Sequence, residues 1–485
     1  MTVLVIGGGI TGLAAALDLG RAAIPTILVE ASDRLGGKIA TERPGDFLVE
    51  LGPDSFLATR PAAVRFAREL GLGDALMGVV EPRTVYIRQD GRLIPMPEGL
   101  GLVLPTRILP FIRTPLFSPV EKARMGLDLL LPRVAPPHDE SVGMFLRRRL
   151  GPALVDRLAG PLIGGIYGTS IDDLSLDAVV PQLRQGEREH RSLILAGLAD
   201  GRRRAAARRA AAAASQPSAA DAAGGAPADR PLGVFATLRG GLGDLVAAAA
   251  RAIEATESVD VRLGVEVRSL VPVGTGVAAS LSDGTTVRVD AVIVATPGPT
   301  AARLVEPFAP EAAQAVIGIQ HGSSTVVTLA WRRDRIPAPP VGHGVLIPAS
   351  EGLRISACTI SSQKWAGRAP DDHVLIRAFL PDEPAAGRPE GELAAMARSG
   401  VAAALGIRAD PEFVRVSSFA ATMPRYTVGH LARVAVAEAA LERWPAVVLA
   451  GAPYRGVGLP DCIAGGQSAA ARVIERLAPG VALTA

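Results

Sequence analysis

The chain has 485 residues, enough for about three domains, and its 48% of hydrophobic residues exclude an intrinsically disordered protein. Its 51 basic and 48 acidic side chains leave a net charge of +3, which does not indicate a nucleic-acid partner. Two cysteines cannot build a disulfide framework, and the six scattered histidines form no zinc-binding pattern with them, so we expect no metal site.

The N-terminal segment and the hydropathy pattern bear on the compartment. Met1 and Thr2 lead directly into an apolar segment, without the basic stretch of a signal peptide. No stretch has the roughly 18 consecutive apolar residues that a membrane-spanning helix requires. We therefore expect a cytoplasmic protein, either soluble or held at a membrane surface, and the sequence leaves monomer and homodimer open.

Residues 3–30 have the pattern of a βαβ unit that binds a dinucleotide. The apolar run Val3–Ile6 predicts a buried parallel strand, and a helical stretch and a second apolar strand follow, the latter ending in Glu30. Between the first strand and the helix stands a GxGxxG sequence made of Gly7, Gly8, Gly9, Ile10, Thr11 and Gly12. These glycines allow a tight turn, a close approach of the pyrophosphate and close packing of helix on strand. The Glu30 carboxylate is at the right distance in sequence to accept hydrogen bonds from a ribose.

The residues after Glu30 favour FAD over NAD. Ala31 is followed by Arg34, a glycine pair ending in Gly37, and Lys38. A second glycine turn lets backbone N–H groups close over the same pyrophosphate, and Arg34 or Lys38 can balance its charge. This arrangement resembles the RxGG signature of the FAD-containing amine oxidase superfamily.

Two further glycine turns are candidates for contact with a flavin. The first is Gly52-Pro53-Asp54-Ser55, whose backbone N–H groups and Ser55 hydroxyl could reach the cofactor. The second follows the buried-strand run 446–450 and includes Val457, Gly458 and Leu459 at the start of a helical stretch. A helix N-terminus aimed at the flavin favours the negative charge of its reduced form.

The central segments differ in composition. Residues 262–270 and 291–297 are predicted strands of the same sheet, which makes the nucleotide-binding domain discontinuous. Residues 83–131 are rich in Leu, Ile, Pro and Gly with interspersed arginines, and they either line a substrate pocket, lie at a membrane surface, or simply pack. A glycine-dense stretch at 160–168 permits close approach to a ligand. Residues 201–231 combine arginine and alanine runs with Ser, Pro and Gly, which is typical of a flexible, low-complexity insertion.

Together the motifs resemble the bacterial protoporphyrinogen oxidase family, which includes the coproporphyrinogen III oxidases of haem synthesis. The motifs on which this resemblance rests are GGGITGLAAA (7–16), EASDRLGGKI (30–39), ELGPDSFL (50–57), GPLIGGIYG (160–168), LRGGLGDLV (238–246), MPRYTVGH (423–430) and GVGLPDCIAGG (456–466). Two positions depart from the family pattern. Arg425 stands where glutamine is common, adding a cation near the pocket, and Phe419 stands where tryptophan is common.

The resemblance implies an α/β fold, with a discontinuous Rossmann-like FAD-binding domain, a mixed-sheet substrate domain and a helical subdomain. The expected boundaries are 1–80, 232–300 and 431–485 for the FAD-binding domain, 81–110 and 301–430 for the substrate domain, 111–200 for the helical, membrane-facing or soluble subdomain, and 201–231 for the insertion. The implied FAD contacts are Gly7, Gly8, Gly9, Ile10, Thr11, Gly12, Glu30, Ala31, Arg34, Gly37, Lys38, Gly52, Pro53, Asp54, Ser55, Val267, Phe419, Val457, Gly458 and Leu459. Arg83 is expected to hold a substrate propionate, and Gly164 and Gly165 to lie against the substrate.

The implied activity is the six-electron oxidation of a porphyrinogen, coproporphyrinogen III or protoporphyrinogen IX, to the porphyrin, with oxygen as electron acceptor. No side chain stands out as a catalytic base, because the flavin carries the redox chemistry. Two alternatives are an amine oxidase or carotenoid-type desaturase of the same superfamily, and a non-catalytic escort-type relative with the same nucleotide fold.

Overall fold

The computed structural model of the chain describes residues 1–134, 138–214, 232–336, 338 and 341–477. Its strands are β1 (Val3–Ile6), β2 (Thr26–Glu30), β3 (Thr41–Glu42), β4 (Val49–Glu50), β5 (Phe56–Leu57), β6 (Leu76–Gly78), β7 (Val85–Gln89), β8 (Arg92–Pro95), β9 (Leu100–Gly101), β10 (Leu104–Pro105), β11 (Phe235–Leu238), β12 (Val259–Leu263), β13 (Val267–Val273), β14 (Gly276–Leu281), β15 (Thr286–Val289), β16 (Ala291–Val294), β17 (His321–Arg332), β18 (Gly344–Leu346), β19 (Ala357–Ile360), β20 (His373–Leu380), β21 (Phe413–Pro424) and β22 (Val447–Leu449).

The helices are α1 (Ile10–Arg21), α2 (Pro61–Glu69), α3 (Ile108–Arg113), α4 (Pro119–Gly126), α5 (Val142–Leu150), α6 (Pro152–Leu154), α7 (Gly165–Tyr167), α8 (Leu176–Val179), α9 (Pro181–His190), α10 (Leu193–Ala214), α11 (Gly243–Glu254), α12 (Gly298–Val305), α13 (Pro310–Ile317), α14 (Ser361–Lys364), α15 (Asp382–Ala385), α16 (Glu390–Leu405), α17 (His430–Leu441), α18 (Ala452–Arg455) and α19 (Leu459–Leu477). A π-helical turn, Val155–Gly164, joins α6 to α7, and Pro161 lies inside it.

A five-stranded parallel sheet forms the centre of the nucleotide-binding unit, in the order β12-β2-β1-β16-β22. All four residues of β1 are buried, as are all four of β16, because hydrophobic clusters cover both faces of the sheet. The strands come from three separate parts of the chain, and their carboxyl ends meet at one edge. The predicted α/β fold is confirmed.

The predicted single strand over 262–270 is wrong. The chain leaves β12 at Leu263, turns at Gly264, whose φ of +69° favours glycine, and begins β13 at Val267. The strand β13 belongs to a separate antiparallel sheet, β13-β14-β15. Alternating hydrophobicity persisted across the turn, so the pattern alone did not reveal the break.

A seven-stranded mixed sheet has the order β21-β17-β20-β19-β18-β7-β8, and only β18 and β7 pair in parallel. Its long strand β17 pairs with β21 through an irregularity between Gly322 and Ser324. Ala421 lies on the opposite strand with a φ of +47°, and its N–H bonds to the Ser323 hydroxyl. Next to this bulge, the Thr422 carbonyl oxygen accepts a hydrogen bond from Lys38 of the nucleotide-binding unit.

The helices between α3 and α10 form a separate packed body around a buried ion pair. Arg149 and Asp128 have no exposed side-chain surface, and Arg149 Nε donates to Asp128 Oδ1 at 2.6 Å. Ser192 donates to the other carboxylate oxygen, also at 2.6 Å. Satisfied in this way, the charges can stay inside an otherwise apolar core.

The segment predicted to be flexible begins as a helix. Residues 201–214 continue α10. Near the middle of this helix, Arg204 Nε forms an ion pair with Asp200 Oδ2 at 2.7 Å. Alanine and arginine are strong helix formers, and this local propensity outweighs the low complexity of the sequence. The remainder of the predicted insertion, 215–231, lies outside the described residues. Over the part of the chain that the structure describes, no helix is both long and apolar enough to cross a membrane.

Candidate functional site

The first glycine loop joins β1 to α1 at the carboxyl edge of the parallel sheet. Gly7 has a φ of +104°, and a Cβ atom on Gly12 would collide with the Gly7 carbonyl oxygen, so both positions require glycine. At Gly9, by contrast, a Cβ atom would meet no described atom within 4 Å. The loop is therefore closed on its protein side and open where a pyrophosphate would lie on the N-terminus of α1, which begins with Ile10 and Thr11.

Glu30 ends β2 beside this loop. Its Oε2 accepts a hydrogen bond from Gly8 N at 2.7 Å, and its Oε1 accepts from both the backbone N–H and the hydroxyl of Ser32, at 2.9 and 2.7 Å. A carboxylate has about four acceptor positions, so capacity remains for a ribose. Ala31 follows on the exposed side. Val267 is buried at the start of β13, and Val265 N, two residues earlier, donates to Glu30 O at 3.0 Å, which places this predicted FAD contact near the acid.

The second glycine turn lies directly on the first. Gly36 N donates to Gly8 O at 2.8 Å, and Gly36 pairs with Gly9 as an isolated bridge. The Arg34 guanidinium donates to the carbonyl oxygens of Gly37, Ile39 and Leu35 at 2.7, 3.2 and 3.3 Å, and it keeps its positive charge because these acceptors are neutral. The residue predicted to balance the pyrophosphate charge thus braces the turn.

Lys38 links this turn to the seven-stranded sheet. Its Nζ donates to Thr422 O on β21 at 2.6 Å, and burial lowers the pKa of the ammonium group. Two of its three donors remain for a ligand. Lys38 is therefore also an interdomain tie, a role that sequence reasoning missed because Thr422 is distant along the chain.

The Gly52–Ser55 turn packs against the Lys38 backbone, since a Cβ atom on Gly52 would collide with Lys38 O. Pro53 lies within the turn. The Asp54 carboxylate is enclosed by protein donors: Lys364 Nζ lies at 3.0 Å and Trp365 Nε1 at 3.2 Å from Oδ2, and Ser55 Oγ donates to Oδ1 at 2.8 Å. If this turn contacts a flavin as predicted, the backbone is the part that remains available.

The C-terminal loop brings a second helix N-terminus to the same place. Gly466 on α19 requires the absence of a side chain, because a Cβ atom would collide with Thr11 O on α1. Gly456 has a φ of +145°, and Cys462 N donates to Gly458 O at 2.9 Å, which starts the helix after Val457 and Gly458 at Leu459. The Cys462 thiol, in the first turn of α19, is hydrogen-bonded to the Thr11 side chain in the first turn of α1. The N-terminal turns of both helices therefore adjoin, and both favour negative charge.

Tyr426 holds this C-terminal loop in place, which sequence reasoning had not assigned. Its hydroxyl donates to Ala452 O at 2.6 Å and accepts from Gly456 N at 2.7 Å. The ring stacks on His430, with centroids 3.8 Å apart, and His430 Nε2 bonds to Tyr454 O at 2.8 Å. Burial lowers the pKa of His430 to about 4, so the imidazole is neutral at pH 7. Tyr426 is the tyrosine of the MPRYTVGH motif, so the sequence did mark this residue. Only the tertiary structure shows that it bonds to the C-terminal loop.

The two departures from the family pattern both lie on or next to β21. Phe419 is half-buried and pairs with Ser324 across the bulge. Arg425 Nη2 donates to Asp382 Oδ2 at 2.7 Å, and this ion pair is largely buried. The additional cation is therefore paired with a carboxylate from α15.

The predicted substrate residues lie on different elements. Arg83 stacks over the Phe235 ring, with its Cζ 5.1 Å from the centroid, and its guanidinium makes no hydrogen bond to a described residue. Phe235 pairs with Leu57, two positions after Ser55, so Arg83 is close to the Gly52–Ser55 turn. Gly164 is buried against Thr169 O, which explains its lack of a side chain by packing. Gly165 is exposed, with nothing within 4 Å of its Cβ position.

Comparison with known proteins decides the family. The sequence profile of the flavin containing amine oxidoreductase family matches residues 10–474. The chain belongs to this family.

Among its relatives is a coproporphyrinogen III oxidase of Propionibacterium freudenreichii subsp. freudenreichii, 44% identical over 98% of this chain and 90% of that protein. A coproporphyrinogen III oxidase of Bacillus subtilis is 33% identical over 98% of both chains. A crystal structure from Exiguobacterium sp. 255-15, provisionally named a protoporphyrinogen oxidase, has a TM-score of 0.81 at 30% identity, covering 97% of this chain and 98% of that one.

Family membership makes the chain a flavin-dependent oxidoreductase with FAD as its cofactor. The structure fits that cofactor. The Gly36 turn pairs with Gly9 just before α1, no described atom lies within 4 Å of a Cβ position on Gly9, and the Glu30 carboxylate at the end of β2 accepts from Gly8 N. When bound, FAD supplies the two-electron redox chemistry that side chains lack. Within the described residues, no group of three or more metal-ligating side chains comes together.

Proposed function

We propose that this protein oxidises a porphyrinogen to the porphyrin in haem synthesis, with coproporphyrinogen III as the preferred substrate and oxygen as the acceptor. The names of its relatives support the substrate class, and the two at 44% and 33% identity are coproporphyrinogen III oxidases. The reaction removes six electrons and six protons, so three two-electron rounds each convert one oxygen molecule to hydrogen peroxide. Such a reaction in the cytoplasm needs no spanning helix.

The observation that carries the proposal is the position of Arg83. Its guanidinium lies on the Phe235 ring beside the Gly52–Ser55 turn and has no hydrogen-bond partner among the described residues. A guanidinium of this kind suits bidentate recognition of a carboxylate. The aromatic face holds the cation by a cation–π contact without satisfying its N–H groups. Arg83 thus provides an anchor for one propionate of a tetrapyrrole.

The remaining task of the chain is orientation. A large apolar macrocycle must present a bridging carbon to the cofactor. Holding it in that position lowers the entropic part of the activation barrier. Coproporphyrinogen III carries four propionates and protoporphyrinogen IX two. Cationic anchors at the pocket therefore contribute more binding free energy to the substrate with four carboxylates than to the one with two.

The helices near the substrate domain also suggest contact with a membrane surface. The exposed apolar side chains in and around α3 and α4 include Leu109 and Ile112, each 56% exposed, and Val120 at 79%. Arg113 and Lys122 lie on the same segments. Apolar side chains bordered by cations are typical of peripheral attachment to anionic lipid. Co-sedimentation with anionic vesicles, reduced in Leu109→Ser/Ile112→Ser, tests this part; equal sedimentation of wild type with and without vesicles would reject it.

The test of the main proposal compares initial rates on the two porphyrinogens. We expect higher kcat/KM for coproporphyrinogen III, and we expect Arg83→Gln to raise KM for it about 10- to 100-fold, since a hydrogen bond to a charged group contributes about 1.5–3 kcal/mol. Arg92→Gln, an exposed arginine on β8 of the same protein, is the matched control and should change neither constant.

Two results would contradict the proposal. Faster turnover of protoporphyrinogen IX would reject the substrate preference. Turnover of an amine or a polyene without any porphyrinogen oxidation would place the protein with the other oxidases of its family.

A further inference from the structure

The Asp54 carboxylate lies at the boundary between the Gly52–Ser55 turn and the seven-stranded sheet. Its Oδ2 is 3.0 Å from Lys364 Nζ and 3.6 Å from Arg377 Nη1. Trp365 Nε1 donates to the same oxygen at 3.2 Å. Lys364 ends α14 and Arg377 lies in β20, so every long-range partner of the carboxylate belongs to the sheet side of the boundary.

The same sheet also holds the other end of the turn. Arg377 Nη2 donates to the Gly52 carbonyl oxygen, and only 3% of the Arg377 side chain is exposed. Ser417 on β21 donates to Leu51 O at 2.8 Å. The turn is thus attached to the sheet before, at and after Gly52, while the turn itself faces the glycine loop that contains Lys38.

The ionisation of the cluster is strongly favoured. Burial alone raises the pKa of the Asp54 carboxyl, but the charges of Lys364 and Arg377 outweigh it and hold the pKa well below its usual range. Two cations face one carboxylate, and Lys364 also lies over the Trp365 ring at 5.0 Å. A buried ion pair with this many donors has one strongly preferred geometry.

The space beside the cluster is too small for a substrate. A cavity of about 10 Å³, room for one water molecule, is lined by Asp54, Arg377, Ser361 and Arg368 among others. The Ser361 hydroxyl and the Nε atoms of Arg368 and Arg377 have no hydrogen-bond partner among the described residues. A cavity of this size holds at most one water molecule, so these charges do not form a second substrate pocket.

We propose that Asp54, clamped by Lys364 and Arg377, is a positioning residue that holds the Gly52–Ser55 turn in place at the FAD site and couples that site to the seven-stranded sheet. Asp54 itself does not contact the cofactor through its carboxylate. The inference rests on FAD as the cofactor, and only its turnover measurement rests on the proposed function.

The experiment uses the full chain as Asp54→Asn and Lys364→Met, with Lys364→Arg as the conservative variant. Glu42→Gln is the matched control, because it breaks another ion pair between the turn-bearing part of the chain and the seven-stranded sheet, the one that Arg415 Nη2 forms at 2.6 Å. We measure the Kd for FAD by titration of apoprotein, the visible circular dichroism of bound FAD, thermal stability, and kcat and KM.

We expect Asp54→Asn and Lys364→Met to raise the Kd for FAD about tenfold, to change the visible dichroism and to lower kcat more than they change KM. Lys364→Arg should keep the wild-type dichroism, and Glu42→Gln should alter none of the flavin measurements. If either charge-removing variant fails to fold, Trp365→Phe, which removes the Nε1 donor and part of the buried ring but leaves all three charges, should change the dichroism in the same direction.

A loss of thermal stability with unchanged Kd and dichroism would overturn the proposal, because it would mean that the cluster only stabilises the fold. Failure of the wild type to oxidise a porphyrinogen would reject the proposed function and leave the FAD measurements valid as a test of the clamp.

Discussion

Removing one oxygen atom from Tyr426 tests how the C-terminal loop is held. In Tyr426→Phe the ring remains, and with it the stack on His430. Two hydrogen bonds are lost, the one donated to Ala452 O and the one accepted from Gly456 N. Both loop groups would then lose this partner, and since Ala452 and Gly456 are only half-buried, water can replace it in part.

The expected cost follows from those two groups. A typical intramolecular hydrogen bond contributes about 0.5–1.5 kcal/mol, so the pair predicts a loss of about 1–3 kcal/mol in the free energy of unfolding. No cavity penalty is added, since the substitution removes only the hydroxyl. Gly456 directly precedes the residues that start α19, so we expect part of this loss to appear in FAD affinity, where a tenfold increase in Kd corresponds to about 1.4 kcal/mol.

The assay combines thermal unfolding of the apoprotein with FAD titration. Tyr167→Phe is the matched control: Tyr167 is also buried, its ring centroid lies 5.6 Å from that of Tyr426, and its hydroxyl bonds to no described residue. We expect the control to keep both Tm and Kd. If Tyr426→Phe matched the control in both measurements, the hydroxyl would not be holding the loop and the reasoning would be refuted.

Three further predictions concern the glycine loop, the helical body and acid stability. Gly12→Ala should abolish FAD binding in a titration, since its Cβ atom collides with Gly7 O; retained affinity would mean that the loop can shift. Asp128→Asn should lower the free energy of unfolding in urea, toward the lower end of about 3–5 kcal/mol, because the fully buried Arg149 keeps only Glu187, at 3.5 Å, as a counter-charge; a loss below 1 kcal/mol would show that the pair is dispensable. Burial lowers the pKa of His430 to about 4, so the unfolded chain binds a proton that the folded chain does not, and stability should fall as the pH drops from 6.5 to 4. His430→Gln should flatten this part of the Tm profile, and an unchanged slope would exclude His430 as its source.

The sequence predicted local geometry well and side-chain partnerships poorly. The order of strand, glycine turn, helix, strand and terminal acid was sufficient to locate the βαβ unit, because each element is specified by neighbouring residues. The roles of Arg34 and Arg425 were not accessible in the same way. Arg34 donates to its own loop and Arg425 to Asp382, and a guanidinium has the same sequence signature whether it meets a ligand or a carbonyl oxygen.

By itself, the sequence determined the FAD-binding fold and the positions of its glycines. A tight turn or a close helix contact excludes a side chain, and this requirement is local and does not depend on how the rest of the chain folds. Only the tertiary structure decided how the site is assembled. Lys38 meets Thr422, and Asp54 meets Lys364, across separations of 384 and 310 residues. Composition first appeared uninformative, with nearly equal numbers of opposite charges. In the folded protein, buried pairs of those charges join the cofactor turns to the sheet, because an ion removed from water is stable only beside its partner.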